Sequence, residues 1–181
     1  MVYVFLANGF EEVEALVPVD ILRRAGIKTQ TVGVTGKTVT GSHGISVECD
    51  IEIKDAKTDN LEAVILPGGM PGTNNLDEND GVHKFIDYAA EKNLVIAAIC
   101  AAPSIIGKKG LLRSRDAVCF PGFEGALAGA NIVPLKAVRS GNIITACGAG
   151  AAFEFGFLIL NALTGNEQSA ANMASAMKYT I

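Results

Sequence analysis

Short apolar runs alternate along this chain with longer segments whose apolar residues recur at helical spacing. Segments 8–28 and 80–93 place their apolar residues on one helix face, as expected for helices that cover a sheet. The apolar runs are rich in β-branched and small residues, which is typical of buried strands. These runs are "VYVFLA" (2–7), "TQTVGV" (29–34), "EAVILPGG" (62–69) and "LVIAAI" (94–99). The alternation predicts a doubly wound α/β fold, in which a mostly parallel sheet is sandwiched between helices.

The rest of the pattern adds shorter elements. Segment 35–53 carries several glycines and predicts a β-hairpin before the third strand. We expect Pro18 to kink the first helix, because proline lacks the N–H and clashes with the preceding turn. Later runs predict three short strands, over 116–120, 133–141 and 142–147, and two closing helices, over 151–165 and 166–179.

Composition limits the classes of protein that need to be considered. The chain has 181 residues and no long polar linker, so we expect one domain over residues 1–181. Apolar residues make up 49% and charged residues 19% of the chain, which fits a sheet covered on both faces. The formal net charge is −4 and basic residues are scattered, so neither nucleic acid nor an anionic membrane surface is an expected partner.

One stretch is long enough to span a bilayer. Residues 141–165 carry a single charge, Glu154, but glycines interrupt them and their first part is β-rich. They therefore predict a buried strand followed by a buried helix. The opening residues lack a basic region before the apolar run, so they indicate a first strand rather than a signal peptide. We accordingly expect a cytoplasmic protein without a membrane span.

The four cysteines show no paired spacing. Cys49, Cys100, Cys119 and Cys147 have no CxxC arrangement and no neighbouring histidine, so neither a zinc site nor a disulfide framework is indicated. Reduced thiols in a reducing compartment fit this pattern. The chain also shows no GxGxxG motif, P-loop or cluster of ligating residues, so we expect neither a metal nor an organic cofactor.

Cys100 differs from the other cysteines because it lies where a strand ends and a helix begins. A cysteine in an apolar run is often inert packing. Here, however, small residues flank it and Pro103 suits a first helical turn, as in a nucleophile elbow. A helix N-terminus lowers a thiol pKa from roughly 8.5 toward neutrality. The turn therefore predicts a reactive thiolate at Cys100.

Two other strand ends supply candidate partners for this thiol. Gly69 follows the third strand in "PGG", and its N–H, with that of Ala101, could stabilise an oxyanion; taken alone, this motif is usually a simple turn. On the first helix, Glu11 and Glu12 fit the water-facing acidic start of a helix. Glu14 lies one turn after Phe10 on the apolar face, so we expect it to point inward and to stay protonated beside the thiol.

The motifs "FEEVEALVPVDILRRAGIKT", "VILPGG", "IAAICAAPSIIG" and "FEFGFLILNALTG", in this order and spacing, resemble the ThiJ/PfpI (DJ-one-like) superfamily, and most closely its DJ-one-like branch. The resemblance implies a flavodoxin-like sandwich, as in class I glutamine amidotransferases, that is commonly homodimeric. It also implies that Cys100 is the oxidation-prone elbow cysteine and Glu14 its protonated glutamate, with Gly69 and Ala101 as the oxyanion site.

The chain departs from this family pattern at three positions. Ala101 stands where the peptidase-like branch has a histidine, which argues against a cysteine-histidine peptidase. Phe120 stands where some DJ-one-type proteins have a histidine, so Cys100 has no evident imidazole base. His43 falls where relatives often carry an arginine on a loop that approaches the partner's site, and either that role or an exposed turn position is open to it.

Two functional hypotheses follow. In the first, Cys100 is the low-pKa nucleophile of a glyoxalase- or deglycase-type enzyme that acts on small carbonyls, and Glu14 moves the proton. In the second, the protein is a redox sensor, stress protector or chaperone in which Cys100 is oxidised to a sulfinate. A glutamine amidotransferase is excluded, because that class requires a late histidine and none follows His83.

Overall fold

The computed structural model describes residues 1–180, and strands make up its centre. In chain order the strands are β1 (Val2–Leu6), β2 (Thr29–Gly33), β3 (Thr38–Thr40), β4 (Ser46–Glu48), β5 (Ile51–Glu52), β6 (Ala63–Leu66), β7 (Val95–Ile99), β8 (Asp116–Ala117), β9 (Asn131–Ile132), β10 (Ala137–Ser140) and β11 (Ile143–Ala146). The α-helices are α1 (Glu12–Arg24), α2 (Gly72–Asp77), α3 (Asp80–Glu91), α4 (Pro103–Lys108), α5 (Ala152–Thr164) and α6 (Gln168–Ala176).

Seven strands form one sheet in the order β10-β11-β7-β6-β1-β2-β5. All neighbours are parallel except β10, which pairs antiparallel with β11. Because β6 and β7 are neighbours, with Leu66 opposite Ala98, the loops that follow them emerge side by side. This is the mostly parallel, doubly wound sheet that the sequence predicts, and the fold is flavodoxin-like.

Alternate residues of each strand enter two separate cores. Val4, Ile65 and Ile99 pack against α1, α5 and α6, whereas Phe5 and Leu66 pack against α3 and α4 on the opposite face. The period of two along each strand explains this division, because successive side chains point to opposite faces. The sheet is therefore covered on both sides, and reactive groups can collect only at its ends.

Several details differ from the sequence predictions. The hairpin is present as antiparallel β3 and β4, but β5 leaves it and joins the edge of the main sheet beside β2. The predicted strand over 116–120 is reduced to β8, which pairs with β9 in a separate parallel ribbon. Helix α2 has only six residues, too few for a periodic pattern, and was not predicted. Pro18 lies inside α1.

The apolar stretch over 141–165 is a strand followed by a helix, as predicted, namely β11 and α5. Among residues 1–180, no helix has both the length and the apolar character needed to cross a bilayer.

Candidate active site at Cys100

Three chain segments meet at the carboxyl ends of the central strands. Cys100 follows β7, Gly68 and Gly69 follow β6, and Glu14 lies in the first turn of α1, which is connected to β1. Their convergence follows from the strand order, because β7, β6 and β1 are consecutive in the sheet. The carboxyl ends of parallel strands are where open α/β sheets place their sites.

The backbone at Cys100 adopts an unusual conformation. Its φ is +66°, in the left-handed region that residues with a side chain rarely occupy. Two hydrogen bonds hold it there: Cys100 N–H donates to Ala146 O at 2.9 Å, and Phe120 N–H donates to Cys100 O at 2.8 Å. Such strain persists only where the surroundings enforce it, and it clusters at functional sites. The thiol is half-buried and so remains accessible.

Glu14 is directed inward, as the helix face predicts, and its exposed fraction is 1%. Hydrogen bonding from the Cys100 thiol acts to lower the pKa of the Glu14 carboxyl group. One carboxyl oxygen, Oε2, also accepts a hydrogen bond of 2.9 Å from the Gly68 N–H. A Cβ on Gly68 would lie 2.6 Å from both Cys100 Cβ and Glu14 Oε2. The thiol and the carboxyl can therefore meet only because residue 68 has no side chain.

Two backbone N–H groups complete the surroundings of the sulfur. Hydrogen bonding from the N–H groups of Gly69 and Ala101 acts to lower the pKa of the Cys100 thiol. Gly69 has a φ of +90°, and a Cβ there would lie 2.4 Å from Glu11 N, so this position also requires glycine. The structure thus brings together Cys100, Glu14, Gly69 and Ala101, the four residues that the sequence places in the catalytic group.

The pKa of the thiol does not follow the sequence prediction of a low value. Burial, followed by the charge and hydrogen bond of Glu14, raises the pKa of Cys100 to about 12. The N–H groups of Ala101 and Gly69 act in the opposite direction but do not outweigh these effects. Burial likewise raises the pKa of Glu14 to about 7. Near neutral pH, Glu14 therefore changes between acid and base while the neighbouring thiol still carries its proton.

Comparisons with known proteins show the family of this chain. The sequence profile of the DJ-1/PfpI family matches residues 1–162. The chain belongs to the DJ-1/PfpI family. It is 33% identical over 168 residues to "Protein dj-1beta" of Drosophila melanogaster, covering 91% of this chain and 90% of that protein. It is 34% identical over 172 residues to "Parkinson disease protein 7 homolog" of Danio rerio, covering 92% of this chain and 91% of that protein.

Solved structures of related proteins have the same fold. A mutant of a DJ-1 superfamily protein from Salmonella typhimurium superposes with a TM-score of 0.93 at 32% identity, covering 99% of this chain and 98% of that one. Toxoplasma gondii DJ-1, solved in an oxidised form, gives a TM-score of 0.94 at 28% identity, again covering 99% of this chain and 98% of that one.

Glu12 departs from the expected water-facing position in this DJ-1/PfpI chain. Its exposed fraction is 4% because the β3–β4 loop folds over it. The Glu12 carboxylate accepts hydrogen bonds from the N–H groups of His43 at 2.8 Å and Ile45 at 3.4 Å, and from His43 Nδ1 at 2.8 Å. Burial acts to raise the pKa of Glu12, but the hydrogen bonds from His43 prevail and lower it.

His43 therefore lies beside Glu12 on the surface rather than beside Cys100 of its own chain. Its side chain is 69% exposed, and Glu12 raises its pKa. Within residues 1–180, Glu11, Glu12 and His43 form the one cluster whose ligand atoms lie close enough together for a metal ion. The Glu12 carboxylate already serves to fasten the loop, so the cluster has a structural explanation.

Phe120 and Gly148 border the site beside Cys100 and Glu14. A Cβ on Gly148 would lie 3.4 Å from the Phe120 ring and 3.9 Å from Glu14 Oε1. Phe120 is 48% exposed, and its ring forms an apolar wall that carries no imidazole. The base closest to Cys100 along this wall is therefore the Glu14 carboxylate.

Sequence reasoning missed the role of Gly68. The signal was present in "PGG", because two adjacent glycines leave two adjacent backbone N–H groups unshielded. The Gly69 N–H is directed toward the Cys100 sulfur, and the Gly68 N–H is directed toward the Glu14 carboxyl. The other three cysteines are free and form no part of this group; burial raises the pKa of Cys49 and of Cys119 to about 11.

Proposed function

We propose that this DJ-1/PfpI protein is a cysteine-dependent enzyme of glyoxalase or deglycase type that acts on small reactive carbonyls. The observation that supports this proposal is the contact between the half-buried Cys100 thiol, the Glu14 carboxyl and two backbone N–H groups. A nucleophile, a base and oxyanion donors within one hydrogen-bonded group are the parts that carbonyl addition requires.

The first step is addition of the thiol to the aldehyde carbon of a compound such as methylglyoxal. A sulfur–carbon bond forms, the carbonyl π bond breaks, and the thiol proton passes to the Glu14 carboxylate. The Gly69 and Ala101 N–H groups stabilise the negative charge that develops on oxygen. Protonation of that oxygen gives a hemithioacetal. Because the pKa of Glu14 is raised to about 7, the carboxylate can accept and return this proton near neutral pH.

The second step converts the hemithioacetal to a thioester. Glu14 removes the proton from the former aldehyde carbon and returns one to the neighbouring carbon, so that one carbon is oxidised and the other is reduced. Water then breaks the sulfur–carbon bond and releases lactate and the free thiol. The net reaction adds one water to methylglyoxal and uses neither a metal nor an organic cofactor. In deglycation the Cys100 sulfur would instead displace the thiol or amine from an already formed adduct: the new sulfur–carbon bond forms as the adduct's own carbon–sulfur or carbon–nitrogen bond breaks, and the leaving group takes the proton that Glu14 accepted from the thiol.

Lactate formation from methylglyoxal tests this proposal. We expect Cys100→Ser to lose at least about 100-fold in turnover, because a hydroxyl is a far weaker nucleophile at this pH. Cys147→Ser, which changes another half-buried free thiol, is the matched control and should retain turnover. Undiminished lactate formation by Cys100→Ser would refute the proposal.

A redox role for Cys100 is the second candidate function. The oxidised form of the Toxoplasma gondii relative favours it, as does the absence of an imidazole at Phe120. Peroxide would transfer one oxygen to the sulfur to give a sulfenic acid and water, and a second peroxide would give the sulfinate. The Gly69 and Ala101 N–H groups and protonated Glu14 would then hold the sulfinate oxygens.

Intact mass after mild peroxide treatment distinguishes the two functions. A sensor should gain two oxygens at Cys100 before any other cysteine reacts, and it should show no lactate formation. Turnover without selective oxidation supports the enzyme. Oxidation that is equal in native protein and Cys100→Ser would eliminate the sensor.

We also propose that the protein is a cytoplasmic homodimer. Members of the DJ-1/PfpI family are commonly dimeric, and the four free thiols suit a reducing compartment. The exposed side of α1 supports a dimer interface, because Val13 is 45% exposed and Ile45 on the neighbouring loop is 55% exposed. Both border an apolar groove of about 330 Å³ that Phe153 and Met177 also line. His43 lies at the edge of this face, where it could approach the partner's site.

A further inference from the structure

A second cavity, of about 420 Å³, lies at the other end of the sheet from Cys100. Its walls come from the start of β7, the β10–β11 turn and α5, and the two charged residues that line it are Arg115 and Arg139. Strand β7 has five residues, which at about 3.3 Å per residue separates its ends by roughly 13 Å. The cavity is therefore distinct from the site at Cys100.

The two arginines converge on one tight turn. Arg115 Nη1 donates a hydrogen bond of 2.5 Å to Ser140 O, and Arg139 Nε donates one of 3.0 Å to Gly141 O. These carbonyls are adjacent in the chain, so both guanidinium groups are anchored at the same place. A Cβ on Gly141 would lie 2.8 Å from Arg115 Nη1, and Gly141 has a φ of +66°, so glycine is required for this approach.

Carboxylates near the cavity do not balance the two positive charges. Within residues 1–180, no carboxylate lies within ion-pair distance of Arg115, whereas Arg139 has one partner, Glu167, at 3.6 Å. The Glu167 side chain is 79% exposed, so solvent screens this pair. The two guanidinium groups therefore leave a local excess of positive charge, which an anion between them would neutralise.

From this arrangement we infer that the cavity binds the phosphate group of a small molecule. Each arginine uses one N–H on a backbone carbonyl, and Arg139 also directs Nη1 toward Glu167; both guanidinium groups retain further N–H donors for a ligand. Planar guanidinium groups bind phosphate through paired hydrogen bonds, and two of them can engage three oxygens. The volume of about 420 Å³ exceeds what a bare ion fills, which leaves space for the organic part of a phosphate ester.

Calorimetric titration with glycerol phosphate at constant ionic strength tests this inference, with inorganic phosphate and sulfate as parallel titrants. We expect saturable binding, with the ester bound more tightly than either bare ion. Arg115→Gln should weaken binding of the ester at least about 10-fold. Arg113→Gln, which removes an exposed arginine outside the cavity, is the matched control and should leave the affinity unchanged.

Arg115 also holds the β10–β11 turn, so its replacement could disturb the fold. Arg139→Gln is therefore the second variant, since its anchor lies on its own turn, and it too should weaken binding about 10-fold. The midpoint of thermal unfolding without ligand shows whether either variant is folded. Absence of saturable binding to the native protein, or equal affinities for native protein, Arg139→Gln and Arg113→Gln, would overturn the inference.

Discussion

At the scale of single residues, the proposed mechanism makes Glu14 both the base and the hydrogen-bond partner of Cys100. Cysteine nucleophiles are commonly activated by an imidazole, but here Phe120 occupies the side of the site where one could stand. Burial moves the pKa of Glu14 to about 7, which gives a carboxyl group the titration range of a histidine. The carboxyl can then serve the thiol as an imidazole would.

Glu14→Gln separates the effect of Glu14 on the pKa of the Cys100 thiol from its proposed role as a base. The charge and hydrogen bond of Glu14 both raise the pKa of Cys100, so their removal should lower that pKa and speed alkylation by iodoacetamide at pH 7. Turnover of methylglyoxal should nevertheless fall at least about 100-fold, because the amide cannot accept a proton. Rates of alkylation and lactate formation across pH 5 to about 9 measure the two effects. Parallel loss of both would contradict the role of Glu14 as base.

Gly68→Ala tests whether turnover depends on the close approach of Cys100 and Glu14. The added Cβ would lie 2.6 Å from Cys100 Cβ and from Glu14 Oε2, so the two groups must separate. We expect turnover to fall at least about 10-fold, with a stability loss of about 1–3 kcal/mol from overpacking. Gly150→Ala is the matched control, since nothing lies within 4 Å of a Cβ there. Equal turnover in the two variants would show that the approach is unimportant.

At the scale of elements, the packing of α4 holds the turn that contains Cys100 in place. This helix has six residues and begins at Pro103, directly after the turn that contains Cys100. So short a helix gains little stability from its own hydrogen bonds and depends on packing. It contacts the helical turn over 124–126, and Gly107 faces Ala126 at this contact.

Gly107→Ala should therefore destabilise the protein. Its Cβ would lie 2.3 Å from Ala126 O, a backbone atom that cannot move away alone. Overpacking costs about 1–3 kcal/mol, and the better helix propensity of alanine offsets about 0.5–1 kcal/mol of that. Urea unfolding measures the difference. Gly125→Ala lies in the facing turn with open space around it and should remain near native stability; a similar loss in both variants would contradict this packing account.

For the molecule as a whole, sequence patterns predict the fold and the members of the candidate site but not the electrostatics of that site. Strand and helix periods are local, so "LVIAAI" and its counterparts indicate the sheet, and the strand ends indicate Cys100 and Gly69. The burial of Glu12 depends on a loop about thirty residues away in sequence. The pKa of Cys100 depends on its depth and on a carboxylate from another element, neither of which the period of a strand encodes.

The proposed dimer interface provides a prediction about assembly. Val13→Glu places a charge on the exposed apolar side of α1, where burial in a dimer would be costly without a partner. We expect the dissociation constant of the dimer, measured by sedimentation velocity, to rise at least about 10-fold. Asp20→Asn, at a charged position bordering the same groove, should leave the dimer intact. A native protein that sediments as a monomer would contradict the proposal.

The final prediction concerns global stability as a function of pH. Glu14 has a folded pKa of about 7 against an ordinary value of 4.5, so the folded state binds the proton more tightly than the unfolded state. Its contribution to stability is therefore fully present below pH 4.5 and is lost as pH rises through 7. At 1.36 kcal/mol per pKa unit, this loss is on the order of 3 kcal/mol. Glutamine does not titrate, so the free energy of unfolding of Glu14→Gln relative to native protein should rise by about that amount between pH 5 and about 8. Urea unfolding at both pH values measures this difference, and a difference that does not change with pH would show that the Glu14 carboxyl has the same pKa in the folded and unfolded states.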